Sequence, residues 1–228
     1  IGFSQMDANQ QQWNANQRIL RDKLPTGEDF AQMQPLLLAH HAMTHMAGVG
    51  PSGLWSYADE VWTGISDSDA RRIPAKFEHS FAWIFLHLAR IEDITMNALL
   101  AGTPELFYAE NWQSALNVPF AHTGNEISDS DMVLLNEQVD VPALRAYRAA
   151  VGRRTQTIIA GLSAEDMPKK VDAGRIQALR QSDSVLPEAS GVIDYWSKRN
   201  VAGLLLMPPT RHNFIHLNEA ARIKSAFD

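Results

Sequence analysis

"KFEHSFAWIFLHLARIEDITMNALLA", residues 76–101, is apolar on almost every side at helical spacing, with Phe77, Phe81, Trp83, Ile84, Phe85, Leu86, Leu88 and Ile91 leaving no continuous polar stripe. Such a helix belongs at the centre of a bundle. It carries one residue that sits badly in that setting, His87. The same pattern returns in "RHNFIHLNEA" (211–220), where Phe214-Ile215-His216-Leu217 echoes Phe85-Leu86-His87-Leu88.

Working outward, a second echo supports the first. "TGISDSDARR" (63–72) and "AGLSAEDMPK" (160–169) share Gly, Ile or Leu, Ser and then Asp, each at the end of an amphipathic helix. Each is followed, after a variable connection, by a helix bearing the Phe-x-His-Leu element. The chain reads as helix–turn–helix written twice, an all-α, antiparallel four-helix bundle with pseudo-twofold character and extra short helices. Under that alignment Trp83 stands opposite His212, and His87 opposite His216.

The remaining elements fit this frame. Residues 1–25 form a polar, Gln/Asn-rich N-terminal arm, and 26–228 a single bundle domain, the usual size for one core. A first helix is expected from about Gly27 through "FAQMQPLLLAHHAMTHMAG", broken by "GVGPSG". "LWSYADEVWTGIS" carries an i, i+3, i+4 stripe. Residues 103–139 show little periodicity and read as a long loop. Asp140 is placed to cap a helix that buries Leu144, Tyr147 and Val151. Pro208-Pro209 either kink the last helix or restart it one turn before His212.

Composition narrows the function. The net charge of −6 and the scattered basic residues argue against nucleic acid as a partner. No apolar run is long enough to span a bilayer, and the N-terminal stretch lacks the pattern of a signal peptide, so no membrane partner and a cytoplasmic setting are expected. The absence of cysteine excludes disulfides, thiolate ligands and a protein-borne Cys nucleophile.

Chemistry concentrates in the histidines. His212 and His216, four apart, present both rings on one helix face about 6 Å apart, a spacing that suits one divalent ion. The quasi-symmetry brings His87 alongside, and three imidazoles from two helices leave a coordination position open, as catalytic zinc sites do. The bland alternative is a set of core-edge histidines satisfied by polar neighbours. A zincin protease would need Glu at position 213, which is Asn, and a di-iron bundle would need Glu-x-x-His twice, which is absent. All-His ligation suits zinc or nickel, with iron and manganese compatible. His41 and His45 make a second HxxxH with no third His implied beside it. With His40 they are expected to line the same cavity or face solvent. His79 reads as a surface residue and His122 as part of a covering loop. Glu219 either orients an imidazole or acts as a catalytic base on bound water, against the alternative of an ion pair with Arg222 or Arg211. Glu92 and Asp93 point away from His87 and look structural, and Trp83 reads as core before pocket wall.

"EHSFAWIFLHLARIEDITMNALLAG" (78–102) and "MPPTRHNFIHLNEAARIK" (207–224) resemble the His segments of the DinB superfamily, which includes bacillithiol transferases and mycothiol-dependent maleylpyruvate isomerases. The resemblance runs from about residue 36 to the end. It implies a metal-binding four-helix bundle, often a homodimer, with a divalent ion on His87, His212 and His216. It also implies a metal-dependent transferase or isomerase that joins a low-molecular-weight thiol cosubstrate to a small-molecule substrate. A thiol-independent metallohydrolase and a non-catalytic stress-response binding bundle are the alternatives. Apolar surface residues of the Trp55–Trp62 segment are a candidate for dimerisation.

Overall fold

The computed structural model describes residues 7–227; the first six residues of the expected N-terminal arm lie outside the described residues. From Ala8 the chain forms α1 (Ala8–Lys23), α2 (Phe30–Ala42), α3 (Tyr57–Trp62), α4 (Asp67–Arg71) and α5 (Phe81–Asp93). Then follow α6 (Leu106–Ala109), α7 (Trp112–Leu116), α8 (Asp129–Gln138) and α9 (Val141–Ala160). The last part holds α10 (Ala173–Arg180), α11 (Gly191–Ser197), α12 (Val201–Leu205) and α13 (Asn213–Lys224). No strand occurs among the described residues beyond a single bridge, Lys170 to Asn200. The fold is an all-α four-helix bundle in which α5 packs along α9 and α13, and α2 along α9. Among the described residues no helix is long and apolar enough to cross a membrane.

Helix α5 is the axis. The Ser80 hydroxyl accepts the Trp83 N–H (3.0 Å), so the helix starts at Phe81 and not at Lys76. Every residue of α5 is buried. Phe81, Ile84, Phe85 and Leu88 are fully inside, each contributing roughly 1.5–3 kcal/mol of transfer free energy. Beyond Asp93 the helix widens into a π-helical segment, Ile94–Ala101. The two ends of this rod lie in different apolar clusters. Phe81 and Phe85 pack with Trp62, Leu144, Tyr147, Phe214 and Leu217; Ile91 and Ile94 pack with Leu37, Ile159, Trp196 and Leu205. His87, Arg90, Glu92 and Asp93 fall where the clusters meet.

The paired Ser-x-x-Asp echoes become the same local device. Ser66 with Asp69 and Ser163 with Asp166 each close a reciprocal capping box. Asp140 caps α9 by accepting the Ala143 N–H (2.8 Å). Both prolines sit in the opening turn of a π-helical segment, Met207–His212, where a missing N–H costs nothing, and α13 follows directly. The helix therefore restarts. The 103–139 connection contains three short helices; α8 escaped the periodicity because Leu135 alone of its residues is fully inside. The polar N-terminal stretch forms α1 from Ala8, with Trp13 stacked between His40 (4.2 Å) and Phe214 (3.9 Å). Tyr57, Val61 and Trp62 turn inward, whereas Trp55 is only partly buried.

Gly152 lies in the middle of α9, where glycine ordinarily costs about 1 kcal/mol relative to alanine. A Cβ there would come within 2.5 Å of His45 Nδ1. The glycine is what lets α2 and α9 approach with that ring between them. Gly152→Ala is accordingly expected to destabilise the fold by about 1–3 kcal/mol through overpacking, where helix propensity alone would stabilise it. Urea unfolding gives the sign directly.

Candidate metal centre

His87 projects from α5, His212 ends the π-helical segment, and His216 lies one turn on in α13. Their ring centroids form a nearly equilateral triangle: 4.9 Å for His87–His212, 4.9 Å for His87–His216 and 4.7 Å for His212–His216. One ring nitrogen from each lies within 4.8 Å of the others, and His87 Nε2 is 3.0 Å from His212 Nε2. A tetrahedral ion with metal–nitrogen bonds of ~2.0–2.1 Å places its ligand nitrogens about 3.3 Å apart. The triangle has the right size. His87 meets both His212 and His216.

The atoms behind the rings decide which nitrogens face inward. His87 Nδ1–H donates to the Thr123 carbonyl (2.8 Å), and His216 Nδ1–H to Glu219 (2.8 Å). Each bond leaves an Nε2 lone pair for the centre, the arrangement that fixes a metal-ligating tautomer. The other Glu219 oxygen accepts His79 Nδ1–H (2.7 Å), and the His79 ring stacks on Trp83 (3.6 Å). Trp83 stacks in turn on His87 (4.7 Å) and donates its indole N–H to the Gly124 carbonyl (3.2 Å). Gly124, at φ 83°, is required: a Cβ would sit 2.9 Å from that indole nitrogen.

Burial, then the neighbouring His216, lowers His87 to about 3. Burial and the other two rings hold His212 well below its ordinary value. Both rings are neutral at pH 7 and able to act as ligands. His212 Nδ1 is buried without a hydrogen-bond partner among the described residues. Burial would raise Glu219, but hydrogen bonds from His216 and His79 bring it down to about 2. It is an anion supporting two rings. His87 and His212 line a cavity of about 320 Å³ together with Ile91, Tyr195, Trp196 and Met207.

On the other face of α5 lies a second group, His41, His45 and Glu92, all fully buried. Its spacing would also admit an ion. The hydrogen bonds argue for a different role. Gln156 Nε2 donates to the Leu38 carbonyl (2.8 Å), which fixes the amide, and the same nitrogen donates to His41 Nδ1 (2.7 Å). His41 must then carry its proton on Nε2 and donate it to Glu92 (2.8 Å). His45 Nε2 (3.0 Å) and Asn213 Nδ2 (2.8 Å) lie on the other Glu92 oxygen. Burial would raise Glu92, yet the facing His45 and His41 hold it well below the carboxylate range. Burial lowers the Arg148 guanidinium to about 10, and the Glu92 charge works against that loss.

Other positions sort accordingly. His41 and His45 neither face solvent nor line the triad cavity. His40 is held by Gln17 (2.6 Å) and Trp13. His79, expected at the surface, is tucked against Trp83 and Glu219. His122 stacks on Phe120 (4.2 Å) and accepts the Gly124 N–H (3.1 Å), away from the triad, although the turn it begins supplies the carbonyls for His87 and Trp83. Asp93 accepts from Tyr147 (2.6 Å) and from the N–H groups of Leu106 and Phe107 (2.9 Å each), and Glu92 from the His41–His45 group. Thr123 had no signal in the sequence, because it contributes only a backbone oxygen. Glu92 could have been suspected, as one of two carboxylates of α5 turned away from His87 in a chain with a second HxxxH.

An all-α bundle whose helices aim three imidazoles at one point defines a class of candidate metalloprotein. Residues 52–218 match the family model of the DinB superfamily, and the chain belongs to that family. The matched span contains all three histidines of the triad and excludes His41 and His45. A comparison with curated proteins finds no match.

Burial holds His40, His45 and His87 at about 3, against 6.5 for a free imidazole. Between those values the unfolded chain takes up protons that the folded chain refuses. Their contribution is therefore complete above pH 6.5 and is lost as pH falls toward 3. The metal-free protein is expected to lose more than about 5 °C of Tm between pH 7 and pH 5. A flat profile in scanning calorimetry with chelator present would contradict neutral burial of these rings.

Proposed function

We propose that this protein is a divalent-metal-dependent transferase or isomerase acting on a low-molecular-weight thiol and a small electrophilic substrate, with the ion held by His87, His212 and His216. The observation that carries the reading is the tautomer pattern: His87 and His216 commit Nδ1 to Thr123 and Glu219 and turn Nε2 to a common point beside a cavity. When bound there, a divalent cation lowers the pKa of a thiol and polarises a carbonyl. The protein's own contribution is to hold the three rings rigid, with Glu219 and the Thr123 carbonyl as positioning groups. Ile91 and Trp196 supply apolar walls that strengthen electrostatic interactions at the centre. A chain without cysteine suits a thiol brought in as cosubstrate. A homodimeric assembly and a cytoplasmic setting belong to the same proposal. The hydrolytic alternative is less well supported, because both Glu219 oxygens are engaged by imidazole N–H groups and neither is free to take a proton from water.

Protein purified without a His-tag is expected to carry about one equivalent of zinc, nickel, iron or manganese, not two, because the His41–His45–Glu92 group is hydrogen-bonded. Plasma mass spectrometry counts it, and His87→Ala with His216→Ala should abolish it. Metal-dependent consumption of bacillithiol, mycothiol or glutathione with epoxide and enone acceptors is the functional readout; no consumption by metal-loaded protein across that panel would refute the reading.

Glu219→Gln is expected to weaken metal affinity about 10–100-fold while turnover recovers at saturating metal. Turnover that stays lost at saturating metal would make Glu219 a base after all.

A further inference from the structure

A second cleft, of about 760 Å³, opens between α1 and the segment that runs from α11 into the π-helical turn before His212. Arg18, Arg21, Arg199 and Arg211 line it, and among the described residues no Asp or Glu does. In a chain with 26 acidic and 20 basic residues, four arginines around one cleft without a single carboxylate is an unbalanced local charge. Among the described residues Arg18, Arg199 and Arg211 make no ion pair, and Arg21 meets only Asp22, at 3.3 Å on the outer surface. Arg211 has a long contact to Asn14 (3.4 Å). Arg199 lies over the Tyr195 ring at 4.0 Å, which braces its fork, and its Nε is buried without a hydrogen-bond partner among the described residues. Gly203 preserves the space for that side chain, since a Cβ would come within 3.3 Å of Arg199 Cδ.

The cleft is joined to the histidine centre. Tyr195 and Met207 line both it and the cavity that holds His87 and His212, and Arg211 is the residue before His212. Arginine forks recognise carboxylate and phosphate oxygens in paired, planar fashion.

We propose that the cleft formed by Arg18, Arg21, Arg199 and Arg211 is the binding site for a small polyanion, a molecule with two or more carboxylates or phosphates, whose remaining end extends past Tyr195 and Met207 to the histidine triad. This rests on the proposed function only in taking the triad as the reacting end. It favours an anionic thiol, or an anionic acceptor, over neutral ones.

The test measures binding, so that it does not depend on turnover. Titration calorimetry on the metal-loaded protein uses glutathione, glutathione diethyl ester, bacillithiol, citrate and pyrophosphate at two salt concentrations. At least one of the polyanions should bind, more weakly at higher salt. Arg18→Ala with Arg199→Ala should weaken it at least tenfold at unchanged metal content, and Arg153→Ala, on an exposed part of α9, should not. If glutathione binds, the diester should lose at least tenfold in affinity. Citrate binding without pyrophosphate binding assigns carboxylates, and the converse assigns phosphates. No binding by any of the four polyanions overturns the inference, as does binding indifferent to the double variant. Arginine-dependent citrate or pyrophosphate binding without thiol turnover keeps the cleft and rejects the thiol reading. Thiol turnover indifferent to the double variant and to esterification does the reverse.

Discussion

A helix buried on every side that still carries His87, Arg90, Glu92 and Asp93 must find a polar partner for each, because an unsatisfied buried group costs about 1–3 kcal/mol and a charged one more. Beyond the Arg90–Asp93 pair within the helix (3.6 Å), the partners come from other elements. Arg90 pairs with Glu105 (2.7 Å), Asp93 takes the Tyr147 hydroxyl, Glu92 gathers His41, His45 and Asn213, and His87 takes Thr123. Those bonds draw α2, α9, α13 and the 103–139 connection onto one level of α5. Apolar packing holds the bundle together, and this polar belt sets its register.

The belt also explains why α5 has two histidine-rich faces of different character. Residues 87 and 92 lie well apart around the helix. One face meets α13, where the supports stand behind the rings and the lone pairs converge. The other meets α2 and α9, where the protons point inward to a carboxylate. Arg148 beside that carboxylate makes a further cation unwelcome there. Asn213 bonds to Glu92 and follows His212 in the chain, so the closed network anchors the backbone that presents the open one.

The Phe-x-His-Leu echoes made His87, His212 and His216 legible, because helical spacing alone puts two rings on one face and the apolar flanks force both helices inward. The Ser-x-x-Asp echoes were legible for the same reason: a capping box is local. What escaped notice was held by long-range contacts. His79 looks like a surface residue until α13 brings Glu219 beside it. His41 and His45 lacked a third histidine because their partner is a carboxylate on another helix. Helix α8 shows too narrow an apolar stripe to register as a period.

From the sequence alone came the helical class, the central rod, a break at Pro208-Pro209 left open between kink and restart, and the three ligand candidates, each of which rests on a pattern local to its own helix. Only the tertiary structure decided which nitrogen of each ring faces the centre, because a tautomer is set by the atom behind the ring. Those atoms, a carbonyl at position 123, a carboxylate at 219 and an amide at 156, reach their rings through packing that no local pattern encodes.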